Sequence, residues 1–267
     1  MYFIIWVLKN TSLQLFYSHV IPRLSDTSLN AFYYTLKTDA HNHSVWNDVT
    51  VSKAVRAVPD PLEEQSFFLS IDNIMVEKSG KHFELCSKLY DHAAHNGSNY
   101  LNGHCMVSLL LSVPVYQDGK IRYLSVPVGY RLWNKEKSKL ALAAQLAAQA
   151  MKTIGPERQV ILLCDSWYPK AEVTVLVEQF ENLEMVCNAR DDTALYGLTP
   201  AKTGKKGRLR KRGDRIALDE IILSKLETGD WVIGMVPVIT NLWKDKVVYA
   251  CICPHNRLLP LGCIGSR

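Results

Sequence analysis

Apolar and polar positions recur along this chain at helical spacing in some stretches and at strand spacing in others. The clearest helix is predicted over Lys135 to Ile154. There Leu140, Leu142, Ala143, Leu146, Ala147, Ala150 and Met151 fall on one side, and Gly155-Pro156 ends the run. Val160 to Cys164 is an unbroken apolar run, too short for a buried helix and too continuous for a half-exposed strand. It reads as a central strand covered on both faces, and it runs into Asp165. Ser66 to Ile71 is a second apolar strand that meets an acid, Asp72, and continues from Asn73 to Lys78. Cys105 to Tyr116 and Ile121 to Trp133 flank Gln117-Asp118-Gly119-Lys120, and an Asp-Gly between two strand patterns predicts a hairpin. Lys170 to Phe180 has a helical pattern, and Glu184 to Arg190 is a further short strand.

Strand, strand hairpin, helix, strand, helix, strand is the order of a mixed α/β sheet. If the two acid-terminated strands are neighbours, Asp72 and Asp165 sit at one end of one sheet. Residues 1–60 read as an N-terminal helical region, with a helix start at Ser25-Asp26-Thr27-Ser28 and a close at Pro59-Asp60-Pro61. Residues 61–195 form the α/β core. In 196–267 the character changes to a basic run followed by short strands over 215–226 and 230–253. The tail from Pro254 shows no clear periodicity.

Composition adds little to this picture. The chain has 267 residues, 48% hydrophobic and 21% charged, with net charge +5. Basicity so mild points to nucleic acid only where it clusters. It does cluster: Lys202, Lys205, Lys206, Arg208, Arg210, Lys211, Arg212 and Arg215 fall within fourteen positions, with glycines among them. That density suits phosphate neutralisation better than a solvated linker. The seven cysteines are odd in number and lie mostly in apolar runs, as reduced intracellular cysteines do. The apolar opening Met1 to Leu8 is broken by Lys9, too early to span a membrane.

Asp72 with Asp165 is the first candidate site. Two close carboxylates repel, and a divalent cation relieves that repulsion and can drive phosphodiester cleavage. The alternative is that both acids are caps or turn residues. Asp91, His92, His95 and His104 read as a hydrogen-bonded loop or substrate contact rather than a zinc site. Cys251 and Cys253, with His255 and Cys263 beyond, read as same-face strand residues. There is no nucleophile elbow and no glycine-rich phosphate loop after a strand, so no nucleotide cofactor is expected.

Ser70 to Lys78, Asp91 to His104 and Leu162 to Lys170 together resemble bacterial insertion-sequence transposases of the DDE class, and the basic run fits. The resemblance covers about residues 60 to 250. It implies a ribonuclease H-like catalytic domain, a mixed sheet flanked by helices, with a β-rich insertion whose start matches residues from about 192. It also implies a catalytic core of two aspartates and a glutamate binding two Mg²⁺ (or Mn²⁺) ions. The implied activity is endonucleolytic cleavage of transposon ends and strand transfer into target DNA, commonly by dimers, in the bacterial cytoplasm at the nucleoid. Asp165 matches the second aspartate. The first aligns to position 72 or 73, and at 73 this chain carries Asn. No segment matches the glutamate-bearing helix. The expectation is therefore a truncated or inactive transposase copy, or a non-catalytic DNA-binding remnant that uses residues 202–215.

Overall fold

The computed structural model describes residues 14, 17–18, 26, 28–37, 43–79, 83–91, 99–189, 192–201, 210–217, 225–228, 231–243, 246–252 and 261–265. The chain divides into two compact units, Met1–Trp46 and Asn47–Arg267. Within the first, helix α1 (Leu29–Lys37) is capped where Ser28 Oγ accepts the Ala31 N–H at 3.2 Å. Helix α2 (His43–Arg56) runs into the second unit, where Val51 and Ala54, with Val58 and Leu62 beyond them, enter its core. A 3-10 turn at Asp60–Leu62, entered through Pro59, redirects the chain into the sheet.

The second unit is one mixed sheet. Strand β1 (Phe67–Glu77) is an interior strand of it. On one side it pairs antiparallel with β3 (Tyr100–Gln117), and on the other it pairs parallel with β5 (Val160–Cys164), which in turn pairs parallel with β6 (Leu183–Ala189). The far edge of β3 carries β2 (Ser87–Tyr90) along its start and β4 (Lys120–Leu132) along the rest. The β3–β4 turn has positive φ at both Asp118 and Gly119, as a two-residue turn matching the right-handed twist of its strands requires. At Gly103 the backbones of β1 and β3 come so close that an added Cβ would lie 2.2 Å from the Val76 carbonyl oxygen, so only glycine fits.

Alternation decides which face of the sheet is filled. Phe67, Leu69 and Ile71 on β1, Val107, Leu109 and Leu111 on β3, Val160 and Leu162 on β5, and Leu183, Met185 and Cys187 on β6 are all buried. Helix α3 (Lys139–Ile154) packs on β3 and β4. Every apolar position expected on its inner side is buried, Ser138 Oγ caps its first turn by accepting the Ala141 N–H at 3.0 Å, and Gly155 closes it at φ +87°. A polar seam ties α2 to α3: Asp48 Oδ1 accepts from Gln149 Nε2 at 2.9 Å and from Thr153 Oγ1 at 3.0 Å.

The opposite face is only partly covered by described residues. Phe68 and Ser70 on β1 and Ile161 and Leu163 on β5 are half-buried. Among the described residues the strand β5 is thus fully covered on one face and half-covered on the other, where its unbroken apolar run suggested full cover on both. The expected helix over Lys170 to Phe180 forms as two single turns, α4 (Ala171–Thr174) and α5 (Leu176–Gln179).

Beyond β6 the chain is β-rich: β7 (Leu195–Tyr196), β8 (Arg215–Ile216), β9 (Lys225–Thr228), β10 (Trp231–Thr240) and β11 (Val247–Ile252). The tail does not lack structure throughout. Its segment β12 (Leu261–Gly265) pairs antiparallel with both β6 and β11 and joins the two parts into one sheet. Two glycines in five residues hide that strand from a periodicity reading, and its partners on both sides supply what its composition lacks.

Candidate active site

Register places the two acids. In the parallel β1–β5 pair, Phe67 aligns with Val160 and each later residue follows in step, up to Ile71 with Cys164. The next residues are Asp72 and Asp165. Residues paired across a sheet share a face, so both carboxylates lie on the less covered face, side by side at the carboxyl end of the shared stretch. Asn73 has the opposite parity and points to the packed face, so the register selects position 72 as the neighbour of Asp165. Ser108, opposite Asp72 on β3, is buried, and its Oγ donates to the Asp72 carbonyl at 3.1 Å, which fixes the backbone there.

Each carboxylate is held locally through one oxygen. The Phe67 N–H donates to the Gln159 carbonyl, so the odd-numbered N–H groups of β1 face β5. At Asn73 β5 has ended, and that N–H donates to Asp72 Oδ1 at 2.7 Å. Asp165 Oδ1 accepts the Trp167 N–H at 3.0 Å, an Asx turn that carries the chain off β5. Both side chains are exposed, and among the described residues no cation and no other donor reaches either one. Two neighbouring, unneutralised carboxylates, each with an oxygen to spare, fit a divalent cation. Among the described residues no group of three or more His, Cys, Asp or Glu side chains comes together, so this pair has no third acid there.

Sequence reasoning missed Tyr168. It follows the turn and is fully buried, and among the described residues its hydroxyl has no hydrogen-bond partner. Burial pushes the phenol far above its ordinary range, and the charges of Asp72 and Asp165, then of Cys105 and Cys164, push it further. It is a neutral wall in electrostatic reach of both acids. In the sequence, Ser166-Trp167-Tyr168-Pro169 gives no sign that this tyrosine turns inward.

A second missed feature gathers round Trp167, two residues past Asp165. Lys139 Nζ sits 5.1 Å from the Trp133 ring centroid and 5.5 Å from that of Trp167, and Lys170 Nζ is 4.9 Å from Trp167. These residues come from the end of β4, the start of α3 and the exit of β5, too far apart in sequence for any spacing rule to join them.

The other predicted residues fare unevenly. Lys202, Lys205, Lys206 and Arg208 lie outside the described residues, as do His92, His95, Cys253 and His255. Arg210 pairs with Asp214 at 3.0 Å. Arg212 donates to Asn241 Oδ1 and lies 4.9 Å from the Tyr196 ring centroid. Lys211 is exposed, and Arg215 begins β8. His104 Nε2 is bonded to the Glu84 carbonyl at 2.8 Å, a loop contact.

A central strand with an antiparallel hairpin on one side and two parallel strands on the other, ending in adjacent aspartates, defines the ribonuclease H-like class of nuclease folds. The sequence model of the DDE superfamily endonucleases matches residues 33–229, most of the chain. The chain belongs to this family and carries a DDE-class transposase catalytic domain, which supports a transposase-like nuclease function on DNA. No curated protein matches the chain. Among the described residues no helix is long and apolar enough to cross a membrane.

Proposed function

We propose that this chain cleaves DNA phosphodiester bonds at Asp72 and Asp165. The observation that carries the reading is the β1–β5 register, which sets the two carboxylates next to each other on an open face. Asp72 and Asp165 would hold Mg²⁺ or Mn²⁺, which when bound supplies Lewis-acid activation of the attacking water and neutralises charge on the phosphate. The chain's own residues do the rest. Backbone N–H groups of Asn73 and Trp167 orient the carboxylates, Ser108 fixes the β1 backbone, and buried Tyr168 keeps a neutral surface beneath the pair. Lys139 and Lys170 place positive charge beside the site, where a phosphate backbone would run. In this reading the DNA is an insertion-sequence end and its target, joined by strand transfer between paired copies of a cytoplasmic, nucleoid-associated protein.

The test is nicking of supercoiled plasmid by the purified chain with Mg²⁺ or Mn²⁺. Nicking that is lost in Asp72→Asn and in Asp165→Asn supports the reading, and nicking retained in either variant overturns it. A second reading, DNA binding without cutting through residues 202–215, is favoured by one observation: only two acids converge among the described residues. It predicts salt-sensitive DNA binding with no metal-dependent nicking.

A further inference from the structure

We propose that Trp167 is a stacking platform for an unpaired base, and that the DNA entering this site does so as a single strand or a frayed end. The inference rests on the nuclease reading above and deepens it by naming the form of the substrate. Trp167 is 39% exposed, directly after the Asp165 turn. Its backbone is fixed, because its N–H is bonded to Asp165 Oδ1, and its ring packs perpendicular to that of buried Tyr168 at a centroid distance of 5.1 Å. The indole is therefore held in place within a nucleotide's reach of the acid pair.

Its surroundings suit a nucleotide. Lys139 is shared between Trp133 and Trp167, and exposed Lys170 rests on Trp167. An aromatic face beside flexible cations is the arrangement that binds single strands without sequence preference, the ring taking a base and the ammonium groups taking phosphates. Lys170 is the movable member. When a base stacks, its ammonium leaves the ring for the adjoining phosphate. A base paired inside a duplex keeps both faces against its neighbours and cannot use the platform without unpairing.

The experiment is fluorescence anisotropy with the full chain in EDTA, using a labelled oligo-dT strand and a fully paired hairpin duplex. Trp167→Leu, which keeps apolar bulk without a π-face, should weaken oligo-dT binding about 5- to 100-fold. Binding of the duplex should change less than about twofold on the same scale. Trp167→Phe should retain most of the oligo-dT affinity. Lys170→Ala should flatten the log–log salt slope on oligo-dT by about 0.7. Equal affinities of Trp167→Leu and the parent for oligo-dT, or equal losses on strand and duplex, overturn the inference and leave the nuclease reading standing. A parent chain that binds neither DNA overturns both.

Discussion

Tyr168→Phe removes one oxygen from the protein's interior and should make the protein more stable. The phenol is fully buried and its hydroxyl has no partner among the described residues, so folding strips that group of water without a described group replacing the lost hydrogen bonds. A buried unsatisfied hydroxyl costs about 1–3 kcal/mol, and the ring itself remains to fill the core. At neutral pH the variant should gain about 1 kcal/mol at the low end of that range, or roughly 2–4 °C in Tm for a unit of this size. The pH dependence is a second, independent reading. Because the folded-state pKa is raised above the ordinary 10, the native state keeps a proton that the unfolded chain gives up. The parent's stability is therefore fully present below pH 10 and falls above it, by about 1.4 kcal/mol per pH unit from this residue alone. Other tyrosines and lysines titrate in the same window in both proteins, so the difference between the two is what counts. Urea unfolding of parent and variant at intervals from pH 8 to pH 11.5 should show a constant gap up to pH 10 that then widens in the variant's favour. A variant less stable than the parent at pH 8, or a gap that stays flat above pH 10, would refute the reasoning.

Substitutions at three other positions probe the frame around the site. Gly103→Ala puts a methyl group into the Val76 carbonyl, where only backbone can yield, and should cost about 1–3 kcal/mol by thermal unfolding. Asp48→Ala strips the shared acceptor from Gln149 and Thr153 and should cost about 1–3 kcal/mol in the same assay, with Asp48→Asn recovering part of it. Asp165→Asn keeps an oxygen for the Trp167 N–H and should unfold within about 1 kcal/mol of the parent, whereas Asp165→Ala loses the turn bond and should be measurably weaker.

Local chemistry made much of this fold readable. The Asp118-Gly119 turn, the Gly155 stop and the inward residues of α3 each follow from one segment's own pattern, and the structure has them where the pattern put them. The nearness of Asp72 to Asp165 was readable only as a possibility, because two strands ending in acids need a register to bring those acids together. That register comes from the buried sides of β1 and β5, and a slip of one residue would turn Asp72 away. That Asn73 lies on the other face from Asp72 was hidden in the sequence for the same reason, since parity is invisible until the neighbouring strand is fixed. What stayed hidden depends on distant segments. Tyr168 turns inward because of what surrounds the β5 exit, Lys139 reaches Trp167 from another element, and β12 is a strand because β6 and β11 make it one.

The central claim is that Asp72 and Asp165 act together as one cation site and that Asn73 stands outside it. The direct measurement is Mn²⁺ binding, followed by the electron paramagnetic resonance signal of free Mn²⁺ as the full chain is titrated. Asp72→Asn and Asp165→Asn should each weaken binding about tenfold or more, because either change leaves a single carboxylate. Asn73→Ala should bind as the parent does. Unchanged binding in Asp72→Asn, or binding lost in Asn73→Ala, would contradict the account.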